Sequence, residues 1–347
     1  MIAVGRHAGA LWPDALRRHR ATRGIVRGRD TAAAAAARRV GAVDACRGVA
    51  VLGMLLANLV NVFFHEVPPP LAHNQGDTLR LFDFPAPIFQ FLVGVSLVLF
   101  LRNRMHAGRS RAEARRDALG RFVRLIGLGM VLDGIGALSI VPRWGVLQTL
   151  GLGGIVATLL DAAPTEGTTG LGVALLGIFS GPGNGIVHGS PPAALAFVPL
   201  TLAGAFAGEV LVATDSAARL ARRACALAAI ALAAACMLFA AGVPFNKMTG
   251  TSSFVALAVA VAAALLAAVA AAENAGVGFP AWLLAVGRNA LTAWVLLHVL
   301  VYYPAWLVFP SWERLGALPG MLAALLTTAA LAAFTIALAR RGLRVAL

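Results

Sequence analysis

Apolar residues run through this chain in blocks, most of them long enough to cross roughly 30 Å of hydrocarbon as helices, each closed by a short polar, glycine- or proline-containing interruption. The period-two alternation of an outer-membrane barrel is absent. Blocks at 47–64, 85–101, 120–137, 145–162, 168–181, 193–213, 224–243, 253–272, 280–303 and 317–339 predict an all-α polytopic membrane protein of about ten transmembrane helices. Segment 168–181 is short for a crossing, so a longer, tilted or re-entrant path is expected there. Pro68-Pro69-Pro70 stiffens the first long loop, and the Gly181-Pro182-Gly183 turn caps a later one. Ala- and Gly-rich blocks allow close helix approach.

Charge decides the topology. The 347 residues are 59% apolar and only 13% charged, yet the formal net charge is +14. Arginines gather in the first forty residues, in 102–116, in 219–223, and at Arg340, Arg341 and Arg344, which are alternate loops of the ten-span reading. That is the positive-inside pattern, and it puts both termini in the cytoplasm. It explains the charge without nucleic acid and leaves anionic lipid headgroups as the expected contact. Residues 1–40 read as a flexible basic tail rather than a targeting peptide, since no apolar signal core with a cleavage site follows at the usual distance. Residues 41–347 read as one transmembrane domain, with most motifs in 41–165 and supporting helices in 166–347. Cys46, Cys225 and Cys236 lack metal-ligand spacing, so neither zinc nor a disulfide is expected. No internal repeat stands out, which weakens an inverted-repeat transporter reading.

Candidate chemistry collects around the first span. Asp44 and Arg47 are three apart, so on a helix they share a face and can pair. On spacing alone, a charged helix start that anchors the span is the plainer reading. Asn58 lies in the outer part of the same span, where an amide needs a partner or a task. His73 follows in the outer loop with Asp83 just before the next span, and His65 competes with it. A carboxylate that orients an imidazole makes a general base, whereas a lone loop histidine is ordinarily solvated. Glu209 and Asp133 are membrane carboxylates that require partners.

Five segments in order carry a resemblance: DACRGVAVLGMLLAN, HNQGDTLRLFDFPAPIFQFLVG, RWGVLQTLG, PFNKMTGTSSF and GRNALTAWVLLH. Together they resemble the transmembrane acyltransferases typified by heparan-alpha-glucosaminide N-acetyltransferase and its bacterial relatives, over about residues 39–300. The resemblance implies acetyl transfer from cytoplasmic acetyl-CoA to an amine or hydroxyl across a bacterial cytoplasmic membrane, with no metal. It implies His73 as catalytic histidine, Asn58 as active-site amide, Asp83 as its carboxylate neighbour, and Asp44 with Arg47 at the coenzyme end. Arg121 and Arg124 are further candidates for the coenzyme phosphates, although topology signalling also explains them. Gln148 and Asn289 match positions that would line the channel. Asn246, Lys247 and His298 are candidates for the acceptor side. The family's Leu-Trp pair is Thr249-Gly250 here, and the aromatic after the histidine is missing, which removes sugar-stacking surfaces and argues against a heparan substrate. The acceptor class left is an extracytoplasmic sugar or small molecule, and a homodimer is a compatible assembly. A carrier or flippase would use the same buried polar residues without acyl chemistry.

Overall fold

The computed structural model describes residues 26–72, 76–139, 144–161, 172, 189–214, 216–309 and 314–347, with side chains described from Gly41 onward. Among these residues the chain is helical, and the single bridge of extended backbone joins Phe64 to Leu315. The helices are α1 (Val26–Phe63), α2 (Pro85–His106), α3 (Arg111–Ala137), α4 (Val146–Leu160), α5 (Pro191–Ala196), α6 (Val198–Val212), α7 (Ala217–Ala240), α8 (Ser252–Asn274), α9 (Ala281–Arg288), α10 (Ala290–Leu297) and α11 (Ala317–Arg340). Helix α10 continues through two π-helical turns, His298–Tyr302 and Pro304–Val308. The first helix starts at Val26, inside the segment read from sequence as tail.

Among the described residues, seven helical stretches are long and apolar enough to cross a membrane: Gly41–Phe63, Leu81–His106, Pro191–Val212, Ala217–Ala240, Ser252–Asn274, Ala290–Val308 and Ala317–Arg340. Each overlaps one expected crossing, and together they mark an integral membrane protein. The other three expected crossings stand differently. Block 120–137 is helical within α3, but Arg121, Arg124 and Asp133 interrupt its apolar surface. Helix α4 has 15 residues, a length of about 22 Å, which falls short of the hydrocarbon thickness. Segment 168–181 lies almost wholly outside the described residues.

Local signals in the sequence set the helix starts that matter for the site. Ser110 and Glu113 form a reciprocal cap on α3, the Ser110 N–H donating to the Glu113 carboxylate at 2.9 Å and Glu113 N–H donating to Ser110 Oγ at 3.3 Å. Pro85 opens α2, where its missing N–H removes no helical bond. The tight 3-10 turn Leu81–Asp83 precedes it and fixes Asp83 at the helix entrance.

Two apolar clusters share α1 and α2. One joins the first turns of the described part of α1 and α2 to α6, α7 and α8; the other joins the remainder of α1 to α3, α4, α9, α10 and α11. The connections sort into two ends. His65 N–H donates to the Leu315 carbonyl, and Leu315 N–H to Phe63, so the loop after α1 meets the loop before α11. At the opposite end Arg111 pairs with Asp161 at 2.9 Å and Arg102 with Glu209 at 2.7 Å, which supplies the partner Glu209 required.

Candidate active site

The basic end of α1 is built around one buried carboxylate. Asp44 is 3% exposed and takes Arg47 on one oxygen at 3.3 Å and Arg288 on the other at 2.8 Å. Arg47 also donates to Ser96 Oγ of α2 at 2.6 Å, and that hydroxyl donates to the Leu92 carbonyl at 2.5 Å. The expected Asp44–Arg47 pair is therefore present, with a third member from α9. Arg288 reaches it because Gly287 and Gly48 let α9 and α1 touch backbone to backbone. A methyl group added at Gly287 would collide with the Asp44 carbonyl oxygen, and one at Gly48 with the Leu283 carbonyl. With two cations on one anion, the cluster retains net positive charge.

That charge faces a cavity of about 330 Å³. Arg47, Ser96, Arg121, Arg288 and Asn289 form its polar wall; Val51, Met54, Phe89, Phe122, Leu147 and Trp294 form much of its apolar wall. Phe100 backs Arg121, with the guanidinium carbon 5.9 Å from the ring centre. A cavity with converging cations at one end and an apolar throat beyond suits a ligand whose anionic head is joined to a flexible arm. Arg124 is exposed on the same helix and is not part of the wall. Gln148 is not part of it either. It is buried between α3 and α4, where its side-chain amide donates to Asp133 at 2.7 Å, so these two residues serve as partners for each other.

The cavity points toward a second polar group. Arg47, Val51, Met54 and Asn58 follow at helical spacings of four, three and four along one face of α1. Over that distance the helix rises roughly 16 Å. Asn58 Nδ2 donates to the Met54 carbonyl at 2.7 Å, and its Oδ1 accepts from the Tyr302 hydroxyl at 2.6 Å. His298 lies one turn beyond the cavity residue Trp294, 7% exposed, with ring centres 5.1 Å from Trp294 and 5.2 Å from Tyr302. Its Nδ1 contacts the Trp294 carbonyl at 2.9 Å. A carbonyl only accepts, so Nδ1 carries a proton and Nε2 holds the lone pair of the neutral ring. The π-helical turn starting at His298 widens the helix where these three side chains meet, a distortion common at functional sites.

At the far end two loops are latched. Asn246 Nδ2 donates to Asp77 at 2.8 Å, while Asn246 Oδ1 accepts from the N–H groups of Met248 and Thr249 and holds its own turn. Lys247 approaches Asp83 at 3.6 Å, and Asp83 is fully buried and also accepts the Arg80 N–H at 2.8 Å. Burial pushes the Lys247 ammonium below its ordinary value, with Asp83 acting in the opposite direction. Asn246 and Lys247 thus touch the loop that carries His73. His73 itself lies outside the described residues, as does Arg143 of the RWGVLQTLG segment.

The structure joins the predicted residues into three groups: Arg47, Arg121 and Asn289 at the cavity with Asp44 paired behind Arg47, Asn58 with His298 beyond it, and Asp83, Asn246 and Lys247 at the latched loops. Sequence reasoning missed Ser96, Arg288 and Tyr302. Arg288 was adjacent to Asn289 in the GRNAL segment, which was the available signal; Ser96 and Tyr302 carried none. Comparison with known proteins finds the family described as heparan-alpha-glucosaminide N-acetyltransferase, catalytic, over residues 39–235, more than half of the chain. No curated protein matches.

Proposed function

The chain belongs to the heparan-alpha-glucosaminide N-acetyltransferase catalytic family, and on that premise we propose that it moves an acetyl group from acetyl-CoA at the arginine-lined end to an amine or hydroxyl acceptor at the latched-loop end. The observation that carries the proposal is the cavity, with its cationic wall at one end and Asn58, Tyr302 and His298 one turn beyond its apolar throat. In this reading Arg47, Arg121 and Arg288 hold the coenzyme phosphates, and the acyl arm follows the face of α1 toward Asn58. The basic end is cytoplasmic, in accord with the arginine distribution.

The acceptor's nitrogen or oxygen attacks the thioester carbonyl and loses its proton to His73. The carbon–sulfur bond then breaks, and the CoA thiolate leaves and takes up a proton. A relay in which His73 first carries the acetyl group balances equally. General-base help of this kind contributes about a hundred- to ten-thousand-fold. Asn58 Nδ2 has two N–H bonds, one of which goes to Met54; the other is the donor assigned to the developing oxyanion, worth roughly 3 kcal/mol. Tyr302 fixes the amide so that it points one way.

Membranes holding the wild-type chain, supplied with radiolabelled acetyl-CoA and sugar acceptors, should yield labelled product that His73→Ala membranes do not. Calorimetry on purified protein should show CoA binding that weakens at least tenfold in Arg47→Ala. A chain that binds acceptor but neither CoA nor acetyl-CoA would be a carrier, and the proposal would be wrong.

A further inference from the structure

The chain does not stop at α11 but folds back onto the cavity. Gly342, with φ +74°, ends the helix in the left-handed conformation; its N–H donates to Ala339 at 3.1 Å and the Leu343 N–H to Leu338 at 2.9 Å. These two bonds satisfy the last helix carbonyls and reverse the chain's direction. The residues that follow, Arg344 to Leu347, all line the cavity. Val345 N–H donates to the Thr292 hydroxyl of α10 at 3.0 Å, and Leu347 packs against the apolar cluster around α1, α3 and α10. Val345 and Leu347 are half-buried while Arg344 and Ala346 are exposed, the alternation of an extended strap lying on a surface.

Two further observations give the strap a role. First, about 330 Å³ is the space with the strap seated, at the low end of what drug-sized ligands occupy; a nucleotide joined to a pantetheine arm is larger than those. Second, Arg344 adds a fourth guanidinium to Arg47, Arg121 and Arg288, with Asp44 the carboxylate among them. Like charges held together favour release of the one on the movable segment. We propose that Leu343–Leu347 is a gate over the donor cavity, seated by the Val345–Thr292 hydrogen bond and the Leu347 contact, which swings out to admit a nucleotide thioester. This rests on the assignment of the cavity to acetyl-CoA. The seated fraction lowers apparent donor affinity in proportion, because only the open fraction binds.

The test uses full-length protein with Cys46, Cys225 and Cys236 replaced by alanine and Val345→Cys, half-buried in the seated strap, as reporter. Maleimide labelling of the reporter is timed with and without desulfo-CoA, which has no thiol to consume the reagent. The gate predicts labelling at least tenfold faster with ligand bound. Thr292→Val and Leu347→Ser, which unseat the strap while keeping Arg344, should bind desulfo-CoA several-fold more tightly than the parent. Ligand binding with unchanged or slower labelling, or with weaker binding by both variants, overturns the gate alone. Failure of every protein to bind the ligand overturns the gate together with the donor assignment.

Discussion

Tyr302 is a phenol within a membrane span whose hydroxyl donates to Asn58 at 2.6 Å. Removing it in Tyr302→Phe leaves the ring and deletes one buried hydrogen bond, which costs about 1 kcal/mol of stability. If Asn58 must point its amide at the reacting carbonyl, the same change should lower the turnover number about tenfold while KM for acetyl-CoA stays put, the split expected when only the transition state loses a contact. Steady-state kinetics on purified protein checks both parameters. Lys247 makes a different prediction. Its folded pKa lies below the unfolded value, so between the two the unfolded chain holds the extra proton. Stability from this residue therefore rises with pH through that window and levels off above the ordinary value of 10.5. Thermal unfolding followed from neutral pH up to about 10.5 should show a rise that Lys247→Met flattens. Below that window, where Lys247 is charged in the folded chain, the variant should also be less stable, because buried Asp83 loses this cation. At this scale the sequence was legible wherever chemistry was local. Asp44 and Arg47 declare their pairing by a spacing of three, whereas the partner Arg288 is 244 residues away and becomes visible only when α9 meets α1.

Helices are the scale at which the apolar pattern served best. Seven blocks correspond to helices that are long and apolar enough to cross, but α3 carries three charged residues within its apolar run and α4 is short, so neither fits a simple hydropathy rule. Their polar residues are engaged locally: Asp133 on α3 takes Gln148 of α4, and Arg121 of α3 faces the cavity. The break between α9 and α10 was invisible as well, because 280–303 reads as one continuous block; Asn289 caps α9 and lines the cavity at that break. The contact between α1 and α9 gives the sharpest test of the element scale. Gly287→Val places a branched side chain against the Asp44 backbone, which should push α9 away, separate Arg288 from Asp44 and weaken CoA binding at least tenfold. Calorimetry on protein that still elutes as a folded species in detergent measures this directly, and the neighbouring conservative change Val286→Ile provides the comparison.

Over the whole molecule, the fold places the arginine-lined cavity and the Asn58–Tyr302 pair at different depths of one bundle. Helix α1 links them. Its basic end belongs to the cavity, its middle forms the apolar throat, Asn58 sits beyond, and the loop that follows leads to Asp77 and Asp83 and their partners in 244–251. The ordered motifs made this axis readable in the sequence, because residues 41–63 alone carry Asp44, Arg47 and Asn58 in depth order. The strap over the cavity was not readable there. Arg344 looked like one more cytoplasmic topology marker, and only the reversal at Gly342 turns it toward the site. Transport of the acetyl group along this axis is the central claim, and sealed vesicles with the arginine end outward test it most directly. Radiolabelled acetyl-CoA is added outside, with amino and neutral sugars enclosed. The account predicts acetylated sugar trapped in the lumen, absent with His73→Ala and strongly reduced with Arg47→Ala. Labelled product only on the outer side, or lumenal product at undiminished levels in the His73→Ala vesicles, would contradict it.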